Sequence, residues 1–188
     1  MFVDSTVYSG DCSCGRSHDM VTKAAVIESG ALFRFEEYAK RFGLSGKRCV
    51  LYDENTYAAT EGRHPFGEQE IVMCPENLHA NEISTAWVLE RLENDVEVII
   101  AVGSGTVHDV ARFCAHERGI HFVSCPTGAS VDGFCSTVAA MTWHGFKKNA
   151  ARGGSGLCYR RYRYNQERSS RTGQERSRRY SCKIYRSC

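Results

Sequence analysis

The 188-residue chain lacks an apolar run long enough to cross a membrane, and its first residues lack the basic and then apolar segments of a secretory signal. We therefore expect a cytoplasmic protein without a membrane partner. Its ten cysteines are scattered, and Cys49, Cys114 and Cys125 fall inside predicted strands or helices. Without a secretory signal, this pattern favours reduced thiols over disulfides.

Acidic residues are nearly absent from residues 149–188, where ten Arg and Lys183 accompany only Glu167 and Glu175. This segment carries a charge of +9, and since the whole chain carries +2, residues 1–148 carry −7. Two compositions therefore meet near Lys148. The sequence predicts one domain over residues 1–148 and a basic, disordered tail over residues 149–188.

Apolar β-branched segments alternate with segments of helical periodicity in the first 148 residues. This alternation predicts an α/β fold with a mostly parallel sheet and helices on both faces. The predicted strands span residues 47–52, 70–74, 96–102 and 119–125, and the predicted helices span residues 31–42, 55–59, 81–93 and 107–118.

A glycine-containing turn, Gly-Ser-Gly-Thr-Val-His-Asp at residues 103–109, follows the third of these strands directly. Glycines let a backbone approach a ligand closely, and the N-terminus of the next helix offers free N–H groups and a positive dipole end. His108 stands where the dinucleotide fingerprint G-x-G-x-x-G has its third glycine. By itself, the turn is compatible with either a phosphate site or a plain tight turn.

The next strand ends in a loop, residues 126–133, that supplies Thr127, Ser130 and Asp132. Two consecutive strands thus place hydroxylic and acidic residues at one sheet edge, where open α/β folds bind ligands. Asp53 ends another strand, where a carboxylate can bind a ribose or cap a helix.

Two residues of the turn are expected to differ in role. His108 is more typical of a surface or capping residue than of a catalytic base. Asp109 is the stronger ligand candidate, because a carboxylate in the first turn of a helix is stabilised by the dipole and lies near any bound ligand.

Four blocks together resemble the sn-glycerol-1-phosphate dehydrogenases, which belong to the superfamily of iron-type alcohol dehydrogenases and dehydroquinate synthases. The blocks are residues 53–57, 103–109, 126–134 and 145–148. The resemblance implies a Rossmann-like N-terminal domain, a helical C-terminal domain that is missing here, and reduction of dihydroxyacetone phosphate to sn-glycerol 1-phosphate with NAD or NADP as cofactor. It also implies a homo-oligomer in the parent family. Glycerol dehydrogenases and dehydroquinate synthases remain alternatives, although they usually lack the Ala-Ser-Val-Asp-Gly block.

The resemblance also implies roles for single residues. Asp53 would contact the cofactor ribose, and Asp132 would contact the phosphorylated substrate. The family's divalent metal, zinc or nickel, is held by an Asp and two His that have no counterpart here, so no metal ligand or catalytic residue is assigned. The remaining residues of the implied cofactor site are Gly105, Thr106, Val107, His108, Asp109, Thr127, Gly128, Ala129, Ser130 and Ser136. At position 128 the family commonly has alanine, and we expect glycine to be tolerated.

The basic tail permits three interpretations. Arginines interleaved with tyrosines at residues 159–164 are typical of nucleic-acid contacts, and a plain disordered tail is also possible. A third interpretation is translation out of frame from near Asn149. Reading the codons one nucleotide later permits Ile-Ala-Asp-Thr-Asp-Ile-Ile-Lys-Asn-Ala at residues 159–168 and Ser-Gly-Val-Gly-Asp-Ile-Leu-Ala-Lys-Phe at 176–185. Both peptides resemble family segments, so we favour this third interpretation and expect no nucleic-acid partner and an inactive chain.

Cys12, Cys14 and His18 could contribute to a zinc site. A structural zinc ion normally needs four ligands, and the usual C-x-x-C pair is absent. The spacing therefore favours an N-terminal loop or hairpin with free thiols. His144, beside Trp143, is expected to be structural.

Overall fold

The computed structural model describes residues 1–18, 21–60, 67–128, 135–152 and 157–160. Its strands are β1 (Phe2–Asp4), β2 (Gly10–Asp11), β3 (Ser17–His18), β4 (Ala24–Ile27), β5 (Arg48–Asp53), β6 (Gln69–Met73), β7 (Val98–Gly103), β8 (His121–Pro126), β9 (Val138–Trp143), β10 (Phe146–Arg152) and β11 (Leu157–Arg160). Its helices are α1 (Phe35–Arg41), α2 (Glu54–Thr60), α3 (Glu82–Arg91) and α4 (Gly105–Arg118), with short 3-10 helices at Ser5–Tyr8 and Ala31–Arg34.

Seven strands form the main sheet in the order β1-β4-β11-β8-β7-β5-β6. All neighbours from β4 to β6 are parallel, and only the edge strand β1 runs antiparallel to its neighbour. Two smaller ribbons, β2–β3 and β9–β10, complete the described strands. The predicted α/β class with a mostly parallel sheet is therefore confirmed.

Each face of the sheet has its own apolar core, because side chains alternate along buried parallel strands. Val98, Ile100 and Val102 of β7 face a cluster that includes α1, whereas Ile99 and Ala101 face a cluster that includes α3 and α4. β5 and β7 are buried at every position. This double burial explains why the sequence of these strands is almost continuously apolar.

The cysteines predicted in the core are buried free thiols. Burial disfavours the thiolate, so the pKa of Cys49 and that of Cys114 are raised to about 12, and the pKa of Cys125 is raised as well. Such thiols are structural and unreactive. For the remaining cysteines of the chain, the reduced state stays a prediction.

Several predicted boundaries differ from the structure. The helix predicted at residues 31–42 begins as a 3-10 helix and becomes α1 only at Phe35. α4 begins at Gly105, two residues earlier than predicted, and β7 ends at Gly103. Ser104 is therefore the only residue between the strand and the helix. None of the described helices has the length and hydropathy needed to span a membrane.

The predicted domain boundary at residue 148 falls inside β10. Residues 149–152 continue this strand, whose register with β9 is set by a two-residue turn in which His144 and Gly145 both have positive φ. β11 lies between β4 and β8, although its sequence shows no strand pattern. The division into a domain and an out-of-frame tail stays a prediction.

Candidate functional site

Three neighbouring parallel strands end at the same edge of the sheet. β5 ends at Asp53, β7 at Gly103 and β8 at Pro126, and Gly103 is paired directly with Pro126. The loop after β8 is joined to the end of β7, since the Thr127 N–H donates to the Gly103 carbonyl at 3.1 Å. The structure thus brings together the strand ends that the sequence singles out.

Within the part of the chain that the structure describes, no side chain caps the start of α4, and its first backbone N–H groups are open. Ser104 is the N-cap residue, with extended backbone angles (φ −79°, ψ 177°), and its side chain makes no cap hydrogen bond. The first N–H groups of a helix have no acceptor within the helix and form a favourable site for an anion. A Cβ atom on Gly105 would meet no atom within 4 Å among the described residues outside its own helix turn, so these residues leave space for a ligand there.

Gly103 has a different role from Gly105. A Cβ atom at position 103 would lie 2.9 Å from Cγ2 of Val107, which is fully buried. Glycine is therefore required there for close packing of α4 against the end of β7. Of the two glycines in the turn, Gly103 is needed for packing against the core, and Gly105 leaves space on the outer side of the turn.

His108 is expected from the sequence to be a surface or capping residue, and because it lies in the core, the surface position is wrong. It is 1% exposed, and its Nδ1–H donates to the Ser104 carbonyl at 2.7 Å. Its Nε2 is buried and has no hydrogen-bond partner among the described residues, and the ring meets Phe122 edge-on at 6.3 Å. Burial lowers the pKa of His108 to about 4, so the ring is neutral and holds Ser104 in place.

Asp109 is half-buried and faces the β9–β10 ribbon. Its carboxylate accepts a hydrogen bond from the backbone of Ala140, and one oxygen lies 3.5 Å from Nη1 of Arg112. Burial nevertheless raises the pKa of Asp109, because desolvation outweighs these two contacts. Arg112, also buried, donates to the Val138 carbonyl at 2.9 Å. Asp109 and Arg112 therefore fasten the ribbon to α4.

Sequence reasoning missed Arg112. It lies three residues after Asp109, a spacing that places two side chains on one helix face, and this spacing is the signal that could have indicated the pair. Its burial could not be read from the chain, because the contact with Val138 joins residues 26 positions apart.

Asp53 caps α2. The Thr56 N–H donates to Oδ1 of Asp53 at 2.7 Å, and the Asp53 N–H donates to the Thr56 hydroxyl at 3.0 Å. This reciprocal arrangement is the capping alternative weighed from the sequence. The carboxylate still lies at the carboxyl end of β5, so a contact with a ribose stays a prediction.

The other predicted site residues are divided between described and undescribed positions. Thr127 and Gly128 are half-buried at the sheet edge. The Ser136 hydroxyl is held in a local turn, 3.0 Å from both the N–H and the carbonyl oxygen of Val138. Ala129, Ser130 and Asp132 lie outside the described residues.

The described residues of this edge do not fit a divalent metal. Asp53 caps a helix, His108 is in the core, and Asp109 is bound by Ala140 and Arg112. Among the residues that the structure describes, no cluster of three metal-binding side chains lies at this edge. We therefore derive no chemical step through a metal here.

The N-terminal ribbon β2–β3 carries a separate group of side chains, Cys12, Cys14 and His18. All three are exposed, and Sγ of Cys14 lies 3.2 Å from Nε2 of His18. Hydrogen bonds from the backbone and side chain of Cys14 lower the pKa of Cys12. The hairpin expected from the sequence is thus present.

A helix that begins at the carboxyl edge of a parallel sheet, between neighbouring strand ends, is typical of the open α/β class of proteins. The family model for iron-containing alcohol dehydrogenases matches residues 26–153. The chain belongs to this family, and the resemblance inferred from its motifs is confirmed.

Curated relatives carry a more specific name. The chain is 35% identical over 150 residues to glycerol-1-phosphate dehydrogenase [NAD(P)+] of Bacillus licheniformis, covering 74% of this chain and 37% of the relative. It is 45% identical over 140 residues to the protein of the same name from Geobacillus thermodenitrificans, covering 69% and 33%. The chain thus spans about a third of the length of these relatives.

Solved structures show the same fold. Iron-containing alcohol dehydrogenase from Corynebacterium glutamicum is 15% identical and superposes with a TM-score of 0.64. The superposition covers 77% of this chain and 41% of that chain. Glycerol dehydrogenase from Schizosaccharomyces pombe is 21% identical and superposes with a TM-score of 0.62. The superposition covers 73% of this chain and 36% of that chain. At these identities the similarity establishes architecture alone.

Proposed function

We propose that this chain is the dinucleotide-binding part of an NAD(P)-dependent sn-glycerol-1-phosphate dehydrogenase. The observation that carries the proposal is the open start of α4 at the carboxyl edge of β7, next to the ends of β5 and β8. The names of the curated relatives support this choice over other members of the family.

The first turn of α4 would bind the cofactor pyrophosphate through the backbone N–H groups of Gly105, Thr106 and Val107. The helix dipole favours an anion there, and the missing side chain at Gly105 leaves room for it. His108 and Asp109 would contribute by holding this turn rather than through their side chains, which are engaged with Ser104 and with Ala140 and Arg112.

Other residues of the edge would complete the nucleotide cleft. Asp53 would reach the ribose hydroxyls with the carboxylate oxygen that does not cap α2. In the proposed site, Asp132 contacts the phosphorylated substrate, and the residues lining the nucleotide are Thr127, Gly128, Ala129, Ser130 and Ser136.

In the proposed reaction, a hydride passes from the reduced nicotinamide to the carbonyl carbon of dihydroxyacetone phosphate, and a proton passes to its oxygen. The products are sn-glycerol 1-phosphate and NAD(P)+. The described residues support a role in cofactor binding, and we assign the chemical step to the longer protein that the relatives represent. We expect little or no ketone reduction by the 188-residue chain alone.

Calorimetric titration of the purified chain with NADH tests the proposed site. Gly105→Asp would place a carboxylate where the pyrophosphate binds. Like charges about 4 Å apart near a protein surface repel by about 4 kcal/mol, so we expect NADH affinity to fall at least ~100-fold after salt screening.

Asn81→Asp is the matched control, because it adds the same charge at the start of α3 and keeps a good N-cap residue. It should leave NADH affinity unchanged. Equal NADH affinity in the wild-type chain and in Gly105→Asp would contradict the proposed site. Salt-dependent binding to a polynucleotide, lost on deletion of residues 149–188, would instead support the nucleic-acid interpretation of the tail.

A further inference from the structure

The N-terminal ribbon brings three metal-binding side chains into one small volume. The thiol sulfurs of Cys12 and Cys14 and a ring nitrogen of His18 all lie within 4.8 Å of one another. A zinc ion with tetrahedral Zn–S bonds of about 2.3 Å and Zn–N bonds of about 2.0 Å requires S···S and S···N separations of roughly 3.6 to 3.8 Å. The observed cluster therefore needs only small side-chain adjustments to surround one ion.

The turn between the ligands is shaped by backbone contacts that leave their side chains free to converge. The Cys12 N–H donates to the Arg16 carbonyl at 3.0 Å, and the Gly15 N–H donates to the Cys12 carbonyl at 2.9 Å. Gly15 has a φ of +79°, a conformation that favours glycine. Cys12 and Cys14 flank one side of this turn, and His18 returns to the same side in β3.

Apolar burial contributes little to this ribbon. β2 and β3 have two residues each, joined by the pairs Gly10↔His18 and Asp11↔Ser17, and residues 10–18 are exposed throughout. An isolated two-stranded hairpin of this kind is at best marginally stable in water. A bound ion would supply stabilisation that burial does not, as it does in small metal-dependent domains.

We propose that Cys12, Cys14 and His18 form a binding site for one zinc ion that fixes the N-terminal ribbon. Two thiolates and an imidazole favour a borderline-soft cation such as Zn²⁺ over Mg²⁺ or Ca²⁺. Nε2 of His18, which faces Cys14, is the coordinating nitrogen. The two thiols release their protons when they bind, so the occupied site is electrically neutral, and the exposed fourth position is completed by water.

The test uses the purified full chain, reduced and freed of metal, titrated with Zn²⁺ and separately with Co²⁺. We expect about one high-affinity ion per chain, thiolate-to-cobalt charge-transfer absorption, visible bands of tetrahedral Co²⁺, and proton release. Because losing even an outer partner of a metal ligand lowers affinity 10- to 100-fold, Cys12→Ser, Cys14→Ser and His18→Ala should each weaken binding at least about 100-fold.

Matched variants control for the chain's other thiols and imidazoles. Cys135→Ser removes another exposed cysteine, and His116→Ala removes another exposed imidazole; both should keep the cobalt spectrum. Undiminished binding in the Cys12→Ser/Cys14→Ser double variant would overturn the proposal. So would absence of a thiolate-to-cobalt band in the reduced wild-type chain.

Hydrogen exchange provides a structural readout. Zn²⁺ should slow exchange of the backbone N–H groups of residues 10–18 at least several-fold, and leave β5 and β7 unchanged. Unchanged exchange of the ribbon in the zinc-loaded chain would contradict the fixing role. The NADH titration is independent of these measurements, so the zinc site and the proposed function can fail separately.

Discussion

Helix α3 begins with its N-terminus closed by a side chain, whereas α4 begins with its first N–H groups open. At α3, the Ser84 N–H donates to Oδ1 of Asn81 at 3.0 Å. At α4, the corresponding residue is Ser104, whose side chain makes no such bond. Both N-cap residues are of types that commonly cap helices, so residue type alone does not explain the difference.

The contacts at α4 explain how an open helix start is held. His108 donates to the Ser104 carbonyl, and Asp109 and Arg112 fasten the helix to the β9–β10 ribbon. These contacts use the carbonyl side of the turn and the flank of the helix, and they leave the N–H groups for a ligand. The two helices thus differ in that a side chain caps α3, whereas the Ser104 side chain does not cap α4, where we propose that the cofactor binds.

Protonation of His108 is the largest expected disturbance of the open start. Its pKa is about 4 in the folded chain and about 6.5 when unfolded, so the unfolded chain binds more protons between these values. The contribution of neutral His108 to the free energy of unfolding is fully present above pH ~6.5. It decreases as the pH falls towards 4, by up to about 3 kcal/mol. Denaturant unfolding at several pH values measures this loss.

His108→Asn is the control for the acid sensitivity, because its amide can donate to the Ser104 carbonyl but does not titrate. The variant should be less stable at pH 7, and its unfolding free energy should fall less steeply between pH 6.5 and 4. Parallel pH profiles for the variant and the wild-type chain would show that His108 is not the responsible group.

Gly103→Ala tests the packing side of the same turn. The added Cβ would lie 2.9 Å from Cγ2 of Val107, so α4 must move away from β7. Overpacking of this kind typically destabilises a protein by about 1 to 3 kcal/mol. Chemical denaturation should show a loss near 2 kcal/mol, and an unchanged unfolding midpoint would mean that Val107 adjusts without strain.

Gly105→Ala tests the ligand side, and the expected effects are reversed. The added methyl group meets nothing within 4 Å, so the free energy of unfolding should be unchanged or rise by up to about 1 kcal/mol. The same group occupies space beside the proposed pyrophosphate, and we expect NADH affinity to fall roughly tenfold, about 1.4 kcal/mol. Calorimetry and denaturation on one sample separate the two effects, and a variant with lower stability and full affinity would contradict the assignment.

Local pattern predicted the sheet but not the contacts that hold its edge. The apolar runs of β5, β7 and β8 and the turn at residues 103–109 follow from periodicity and glycine placement. The burial of His108 was not predictable, because its environment is formed by Phe122 on another strand. The place of β11 between β4 and β8 likewise depends on pairing between distant segments.

Removing the N-cap side chain from each of the two helices should produce the smallest changes in stability. These two substitutions compare the starts of α3 and α4 directly. Asn81→Ala removes the hydrogen bond to Ser84, and loss of such a cap typically costs about 1 kcal/mol of stability. Ser104→Ala removes no cap hydrogen bond, so its change should stay within about 0.5 kcal/mol. Denaturant unfolding of both variants, with NADH affinity measured in parallel, distinguishes the two helix starts. Equal destabilisation by the two substitutions would mean that Ser104 does cap α4 in solution, and that a ligand must displace its hydroxyl before it can reach the N–H groups.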